Sequence, residues 1–498
     1  NQQRVRKMNE QLNETLMSWV TFLNTPLWDF LVIFLVFVGV FYTLITGAVQ
    51  IRLFWHSIKA MRSSRKKGED SYGITPFQAL VTGLASRVGV GNVAGVAIAI
   101  AIGGPGAVFW MWFTAFLGMS SAFVESSLAQ LFKVRDTSNQ QFRGGPAYYI
   151  TQGLKQKWLG VVFAVALILT YGFVFNAVQA NSIISATSHA WGWDQANLIV
   201  PMGAFSFELS WLGLVLVVMT AMIIFGGIKR IAKVAEKFVP IMALLYLVVA
   251  LYIAVINLPI IPDIFRLIFS KAFEFDAATG GFFGAMVSMA MMMGIKRGLF
   301  SNEAGMGSAP NAAAVSDVKH PVNQGLVQML GVFVDTFIVC SCTAIIILSS
   351  GLYQNAGFEG VTLTQMALES QIGHWGDDFL AIILFMFAYS SIIGNYAYAE
   401  GNVQFINNNR KIMLIFRLLV LFMVYFGAIA TVPLIWSMAD LFMGVMATIN
   451  LFAILLLTPF VLMLLKDFKA QLKRGVKEPE FKLDNHPKFK DRVNSDIW

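Results

Sequence analysis

An apolar stretch early in the chain is interrupted by residues that an ordinary membrane helix does not favour. Gly83–Leu117 reads GLASRVGVGNVAGVAIAIAIGGPGAVFWMWFTAFL, and Arg87, Gly89, Gly91 and Asn92 break its apolar run. We expect one span to be split here into two half-helices, whose freed amides and carbonyls must be enclosed by protein or line a cavity. The amides at a half-helix N-terminus can bind a carboxylate, and unwound carbonyls can bind a cation.

The start of the second half-helix is the first candidate for a substrate site. Gly91, Asn92 and Val93 would offer backbone amides to a carboxylate, and a glycine at position 91 keeps a Cβ out of its way. Ser86 would add a hydroxyl to the same cavity. The alternative is a packing motif, because small residues let membrane helices approach each other closely.

A second apolar segment, Gly280–Ala314, is also interrupted, at Gly294–Gly298. We expect a second broken span there. Its loosened backbone would let Gly294 offer a carbonyl to a substrate ammonium group, while Ile295 forms part of the pocket wall.

Three further side chains are candidates for the wall and gates of such a pocket. Gln179, in the fourth predicted span, would form a polar wall, and an interhelical hydrogen bond is the alternative. Phe173 and Trp436 are candidate gating aromatics. Against this, an aromatic residue in a span more often packs or lies at the membrane interface.

Charged residues near the two interruptions are candidates for coupling or gating: Arg87, Glu125, Arg297 and Glu303. A charge at the bilayer midplane costs at least about 2.5–3.5 kcal/mol on insertion scales, so Arg87 should have a partner. The candidate partners are Glu125, Asp335 and Asp440. Glu125 would also accept the orphan N–H groups of the first half-helix, and Arg297 and Glu303 would hold the second one.

The composition indicates a membrane protein. Of 498 residues, 57% are hydrophobic and 13% are charged, whereas a soluble domain has about 25% charged residues. A span needs about 20 apolar residues, and by this measure the chain contains about eleven spans. The two interrupted spans are the second and the seventh, which predicts two halves of five spans with opposite orientation and a site between their breaks.

Basic residues occur in short segments between the apolar runs, and they set the expected orientation. We divide the chain into an extracytoplasmic segment, an extra transmembrane helix, a first and a second five-helix repeat, and a cytoplasmic tail. Their bounds are 1–26, 27–50, 75–260, 278–465 and 466–498. The N-terminus would lie outside and the C-terminus in the cytoplasm.

Several function classes lack support in the sequence. The net charge of +8 follows from topology and does not indicate nucleic-acid binding. Cys340 and Cys342 lie two residues apart and point away from each other on a helix, so we expect free thiols. The five histidines are scattered, no zinc or haem spacing occurs, and no catalytic cluster suggests an enzyme. An ion channel is the rival class, although a discrete site at two breaks favours a carrier.

Long motifs in the chain resemble the alanine/glycine:cation symporters of bacteria and archaea. They are TGLASRVGVGNVAGVAIAIAIGGPGAVFWMW, RGLFSNEAGMGSAPNAAA, FRGGPAYYI, FNAVQANS, FAYSSIIGNYAYAEGN and WSMADLFMGVMATINL. The resemblance covers about Leu27 to Asp467. It implies an all-α integral membrane protein of the leucine-transporter type, a monomer in the cytoplasmic membrane, and uptake of a small neutral amino acid with co-transported sodium.

The resemblance also implies a sodium site. The ninth span would supply the hydroxyls of Ser390 and Ser391, and the first broken helix the backbone carbonyls of Ala85 and Val88. Sodium is a hard cation that prefers oxygen ligands, whereas serines in membrane helices also bond back to their own helix. Arg87 stands at the break as a fixed cation that would replace one sodium ion. Proton-coupled uptake of a small polar amino acid such as serine therefore stays open.

Overall fold

The computed structural model describes residues 2–62, 72–137, 140–193, 198–202, 205–226, 228–274, 287–354 and 360–498, and they are almost entirely helical. The helices of the first half are α1 (Gln2–Ile45), α2 (Val49–Arg52), α3 (Phe54–Ala60), α4 (Pro76–Arg87), α5 (Gly91–Gly103), α6 (Gly106–Leu131), α7 (Pro146–Gly153), α8 (Lys157–Trp191), α9 (Trp211–Ile224), α10 (Ile228–Ile256) and α11 (Ile261–Lys271). Two antiparallel hairpins, β1 (Val134–Asp136) with β2 (Gln141–Arg143) and β3 (Leu198–Met202) with β4 (Phe205–Leu209), lie between them.

The second half continues the helical pattern. Its helices are α12 (Met289–Asn302), α13 (Ala309–Val315), α14 (Pro321–Ser350), α15 (Val361–Ile372), α16 (Trp375–Ile406), α17 (Arg410–Ile429), α18 (Val432–Leu456) and α19 (Thr458–Lys473). The predicted last span, to Leu465, is thus two helices that separate at Leu457.

Among the described residues, eight helices are long and apolar enough to cross a membrane, and the bent pair α4–α5 adds a ninth span. The short apolar helix α9 lies within the predicted first repeat, and the interrupted pair α12–α13 occupies the place of the seventh predicted span. The all-α membrane fold is therefore confirmed. The helix α1 is continuous across the predicted boundary at residue 26, and the division into two repeats stays a prediction.

The first break lies where the glycines of the sequence predict it. A capping box of Thr75 and Gln78, with Pro76 at the first helical position, begins α4, and Val88 ends it in an extended conformation. The axis turns by 54° before α5 begins at Gly91. Since the freed backbone is enclosed by α6, α14 and α16, the break fulfils the condition for irregular backbone at membrane depth.

The second break is real, but its predicted position at Gly294–Gly298 is wrong. α12 runs unbroken to Asn302, and the chain then takes positive φ values at Glu303, Gly305 and Gly307 before α13. Gly294 serves packing instead, since a Cβ there would lie 2.4 Å from the carbonyl oxygen of Ala107 on α6. Residues 280–286 of the predicted segment lie outside the described residues.

The tail packs against loops that carry basic residues. The amide of Phe481 donates to the carbonyl of Lys319 (3.0 Å), and Arg492 donates to the carbonyl of Gly153 on α7 (2.8 Å). The ammonium group of Lys133 lies 5.1 Å from the ring centre of Trp498. These basic loops and the tail therefore lie together, at what we call the basic end of the bundle.

Candidate functional site

The two breaks meet in the interior of the bundle, although they are far apart in sequence. The hydroxyl of Ser86, in the last turn of α4, lies 2.8 Å from the carboxyl of Glu303, 217 positions along the chain. Ser308, at the far side of the second break, donates to the other oxygen of Glu303 (2.7 Å). All three side chains are buried. Glu303 thus joins the end of α4 to both sides of the second break.

Four oxygen atoms gather where α16 passes the end of α4. The hydroxyl of Ser391 lies 3.1 Å from the carbonyl of Ala85 and 3.5 Å from that of Val88. Ser390 lies 3.4 Å from the carbonyl of Ala85. Both serines also bond back to the carbonyl of Phe387. The structure therefore brings the four predicted cation ligands together, and it equally shows the bonding within the helix that we gave as the alternative.

The backbone amides just before α5 are bonded by side chains of α5 itself and of α8. Asn92 accepts a hydrogen bond from the amide of Gly89 (2.9 Å), and Gln179 on α8 accepts from the amide of Val90 (3.2 Å). A Cβ on Gly89 would lie only 2.2 Å from the hydroxyl of Ser391. Gln179 thus lies at the break and makes an interhelical hydrogen bond there, which is the alternative that we gave to a polar pocket wall.

The other predicted substrate residues of α5 have protein partners. The amide group of Asn92 donates to Asp335 on α14 (2.7 Å), and the carbonyl of Val93 lies 3.4 Å from the hydroxyl of Thr364. The bare face of Gly91 points at Phe300, where a Cβ would lie 2.9 Å from the ring. The room left by this glycine is therefore filled by α12.

A wall of aromatic rings runs beside the two breaks. The ring centre of Phe300 on α12 lies 4.8 Å from that of Trp436 and 4.6 Å from that of Phe175. Phe173 lies instead beside Phe416 on α17 (6.2 Å). Our sequence reasoning missed Phe175 and Phe300. Phe175 precedes Gln179 by four positions, and this helical spacing places both on one face of α8.

Two predicted residues of α12 lie away from the first break. Gly294 packs on α6, as described above, because no break occurs there. Ile295 lines a small cavity between α12, α6 and α1, together with Leu35 and Thr114. Neither residue borders the oxygen cluster of Ala85, Val88, Ser390 and Ser391.

The buried charges form two groups. Arg297 is paired with Asp440 on α18, and its guanidinium lies 4.9 Å from the ring centre of Trp436. Arg87 is 1% exposed, and one nitrogen of its guanidinium lies 3.4 Å from the carbonyl of Gln328. Arg87 interacts electrostatically with the carboxylates Glu125, Glu303 and Asp335.

Glu125 caps the second break and not the first, which corrects our expectation. Its carboxylate accepts hydrogen bonds from the amides of Gly305 and Gly307 (both 3.1 Å) and from Asn450 (2.8 Å). The physical reason is that α6 packs along α12 and therefore reaches the residues that follow Asn302.

Two cavities adjoin this region. A mostly apolar cavity of about 180 Å³ lies beside the oxygen cluster and is lined by Ala85, Ser390, Phe238 and Tyr389. A polar cavity of about 460 Å³ opens at the basic end, lined by residues that include Arg143, Asn311, Glu400 and Arg417. Asn311 belongs to α13, so this cavity extends to the second broken span. Within the part of the chain that the structure describes, no cluster of His, Cys, Asp or Glu could hold a metal ion.

A many-span helical bundle in which two interrupted helices meet in the interior is the architecture of secondary transporters, whose sites are built from such breaks. Residues 13–483 match the model of the sodium:alanine symporter family. The chain belongs to this family, and the resemblance that the sequence motifs suggested is confirmed.

Relatives of similar length carry related names. An uncharacterized transporter of Haemophilus influenzae is 56% identical and covers 99% of both chains. The probable sodium/glutamine symporter GlnT of Bacillus subtilis is 45% identical over 93% of this chain and 92% of its own. The putative sodium/proton-dependent alanine carrier protein YrbD of Bacillus subtilis is 40% identical over 97% of each chain. Among solved structures, a Na⁺-coupled sialic acid symporter matches with a TM-score of 0.47 and 13% identity, over 87% of this chain and 86% of that one.

Proposed function

We propose that this protein is a secondary active symporter that imports a small neutral amino acid, alanine or glycine, together with sodium. The observation that carries the proposal is the cluster of four oxygens that Ala85, Val88, Ser390 and Ser391 form at the first break. Membership of the sodium:alanine symporter family supports it.

The oxygen cluster fits a sodium ion for two physical reasons. Its members are two carbonyls and two hydroxyls, which are hard oxygen ligands of the kind that such cations prefer. The carbonyls belong to the C-terminal end of α4, where the helix dipole adds partial negative charge. A bound ion would draw α16 onto α4 and fix the bend before α5.

The substrate would then bind at the amides that the bend exposes. Its carboxylate would take the place of the Gln179 oxygen at the amide of Val90, next to the ring of Phe300. The apolar wall of this site would discriminate between substrates by size, which is worth only about 1–3 kcal/mol per methylene. Since one relative is named for alanine and another for glutamine, the test below includes amino acids of different size as substrates.

The coupling follows from differential affinity. Sodium and substrate together would favour the occluded state, and the downhill ion would drive uptake by alternating access. We place the protein in the cytoplasmic membrane as a monomer, with its N-terminus outside and its C-terminal tail and basic end in the cytoplasm, because basic residues favour that side.

A proton-coupled carrier is the second candidate. The relative YrbD is named as sodium/proton-dependent, and the chain itself buries the carboxyl of Glu303 between the breaks. This candidate differs from the first only in the ion, so one experiment separates the two.

The test is uptake into proteoliposomes. Labelled alanine, glycine, serine and glutamine are offered with a sodium gradient and a pH gradient imposed separately. We expect sodium-driven accumulation of alanine or glycine that saturates with both solutes. Uptake driven by the pH gradient alone would favour the proton carrier, and current without a second solute would indicate a channel.

A further inference from the structure

Three buried carboxyl groups interact electrostatically with Arg87, and they differ in the hydrogen-bond donors that they receive. They are Glu125, Glu303 and Asp335, with relative exposures of 0%, 1% and 0%. A buried ionised carboxylate must be paired or well supplied with hydrogen bonds, because the loss of hydration is otherwise very costly. The number of hydrogen-bond donors that reach each carboxyl group therefore indicates which of the three can be ionised.

Glu125 has the donors that an ionised carboxylate needs. Two of them are backbone amides, of Gly305 and Gly307, and a backbone N–H can only donate. The third is the side-chain amide of Asn450, whose oxygen accepts from Tyr149. The orientation of that amide is settled because its nitrogen also donates to the backbone carbonyl of Gly305 (2.9 Å), which can only accept.

Asp335 is supplied in the same way. It accepts from Asn92 (2.7 Å), Ser301 (2.8 Å) and Thr336 (3.0 Å). The orientation of Asn92 is fixed because its oxygen accepts from the amide of Gly89. Three donors therefore meet this carboxylate as well.

Glu303 lies at the end of a chain of hydrogen bonds whose direction is set elsewhere. Asn176 donates to the carbonyl of Gly172 (3.1 Å), which can only accept. The oxygen of Asn176 therefore faces Asn395, which donates to it (3.1 Å). The oxygen of Asn395 in turn faces Ser86, at 2.7 Å.

Ser86 has one proton for two acceptors. Its hydroxyl lies 2.7 Å from the oxygen of Asn395 and 2.8 Å from Oε1 of Glu303. If the hydroxyl donates to Asn395, the second contact needs a proton from Glu303. Without that proton, two oxygen atoms would face each other at hydrogen-bond distance with no hydrogen between them. Ser308 satisfies the other oxygen, Oε2, by donating to it.

We propose that Glu303 is a proton-binding site and that it holds its proton in this state, donating from Oε1 to Ser86 while Oε2 accepts from Ser308. Loss of the proton would leave Ser86 able to bond with Asn395 or with Glu303, but not with both. The proton thus connects α4 to the second break.

Tyr171 on α8 also bonds to the carboxyl of Glu303, but this bond does not supply a hydrogen between Ser86 and Oε1. The titratable groups that face Glu303 are Arg87 on α4, Tyr171 on α8 and Tyr398 on α16. Glu125 on α6 also reaches the second break, but it accepts hydrogen bonds from the amides of Gly305 and Gly307 there. Arg87 adds positive charge nearby, yet its one hydrogen bond goes to the carbonyl of Gln328.

For transport, the inference rests on the proposed function and adds a second ion to it. A proton at Glu303 stabilises the contact that joins the two breaks through Ser86 and Ser308. Uptake should therefore depend on pH through this group. Binding of the proton itself can be tested on the purified protein without any transport. A failure of the proton site and a failure of the symporter are thus distinguishable.

The experiment is infrared difference spectroscopy of the purified protein across a pH titration. We expect the carbonyl band of a buried, protonated carboxylic acid, which disappears at high pH. Glu303→Gln should fold, because its amide donates to Ser86 and its oxygen accepts from Ser308, and it should lack the band. Glu125→Gln, the matched control, should keep the band, although it places an amide where three donors converge.

Three outcomes would overturn the proposal: a parent protein without the band, a band that survives in Glu303→Gln, or a Glu303→Gln protein that does not fold. Ser86→Ala provides a further measurement, since it removes the acceptor of the Glu303 proton and should shift the band. An unshifted band in folded Ser86→Ala would also contradict the proposal. In proteoliposomes, uptake by the parent should decline with rising pH, and Glu303→Gln should lose this decline.

Discussion

Gly89→Ala, which adds one methyl group at the first break, should weaken the binding of sodium. A Cβ on Gly89 would lie 2.2 Å from the hydroxyl of Ser391 and 3.1 Å from the oxygen of Gln179. Ordinary contact begins at 3.4 Å, which is 1.2 Å more than the 2.2 Å found here, so Ser391 must rotate away from the carbonyls of Ala85 and Val88. Gly89 does not have a positive φ, so the backbone itself tolerates alanine.

The size of the effect follows from the oxygen that the ion would lose. A hydrogen bond or contact to a charged group is worth about 1.5–3 kcal/mol, and each 1.4 kcal/mol is a factor of about ten. We therefore expect the half-saturating sodium concentration of Gly89→Ala to rise roughly ten- to a hundredfold.

The assay is the sodium dependence of alanine uptake in proteoliposomes at saturating substrate. The matched control is Gly401→Ala on α16, where an added Cβ meets no atom within 4 Å, and its sodium dependence should equal that of the parent. If Gly89→Ala keeps the sodium dependence of the parent, Ser391 does not face a cation site and the reasoning is refuted.

Other changes test the packing around the site. Gly294→Ala should lower the unfolding temperature, because its Cβ meets backbone 2.4 Å away on α6 and overpacking costs about 1–3 kcal/mol; an unchanged temperature would contradict the packing role. Arg297→Gln should lower the unfolding temperature, because it removes the close partner of Asp440 and leaves it Lys296, whose ammonium group lies 3.9 Å away. The cost should stay below about 3–5 kcal/mol, the cost of a buried charge with no partner, and the double variant with Asp440→Asn should recover part of this loss in a thermal unfolding assay. Burial lowers the pKa of His320, which bonds to Asp467 of α19 at 3.2 Å. The unfolded chain then binds more protons, so the contribution of neutral His320 to the free energy of unfolding is present above about pH 6.5 and is lost as the pH falls below it. The protection of tail amides against hydrogen exchange, relative to the intrinsic rate at each pH, should therefore decrease on acidification, and equal protection at pH 7.5 and pH 5 would contradict this.

The helical content and the first break could be predicted from the sequence, because both depend on local patterns of residues. Long apolar runs predict spans, and the glycines between Arg87 and Asn92 predict a bend where the bundle has one. The meeting of Ala85 with Ser391 followed from a family resemblance, since the two residues are 306 positions apart and no local pattern relates them.

The second break shows why the remaining features could not be predicted. Gly294 suggests a broken helix by composition, but a glycine in a membrane helix also permits close packing, and the neighbour that decides between the two is Ala107 on α6. The true break at Glu303–Ser308 combines several positive φ values with a carboxylate cap from Glu125. That cap is a tertiary contact, so only the packing of α6 on α12 could reveal it.

The sequence prediction for the aromatic wall named Phe173 and missed Phe175, because the face of the helix that points inward was not known. Phe173 and Phe175 are two positions apart, so they lie on nearly opposite faces of α8. Composition does not say which face points inward. The position of Gln179, four residues after Phe175, was the available signal.

The central claim is that sodium binds between α4 and α16, and equilibrium binding of sodium to the purified protein tests it most directly. Thermal stabilisation of the parent should increase with sodium, and not with potassium, by RT ln(1 + [Na⁺]/Kd). Ser391→Ala should raise the Kd about tenfold or more. Ser127→Ala, which removes a similar bond back to its own helix at Phe123, should leave the Kd unchanged. A parent without sodium-dependent stabilisation, or a Kd that is the same in Ser391→Ala, would contradict the account.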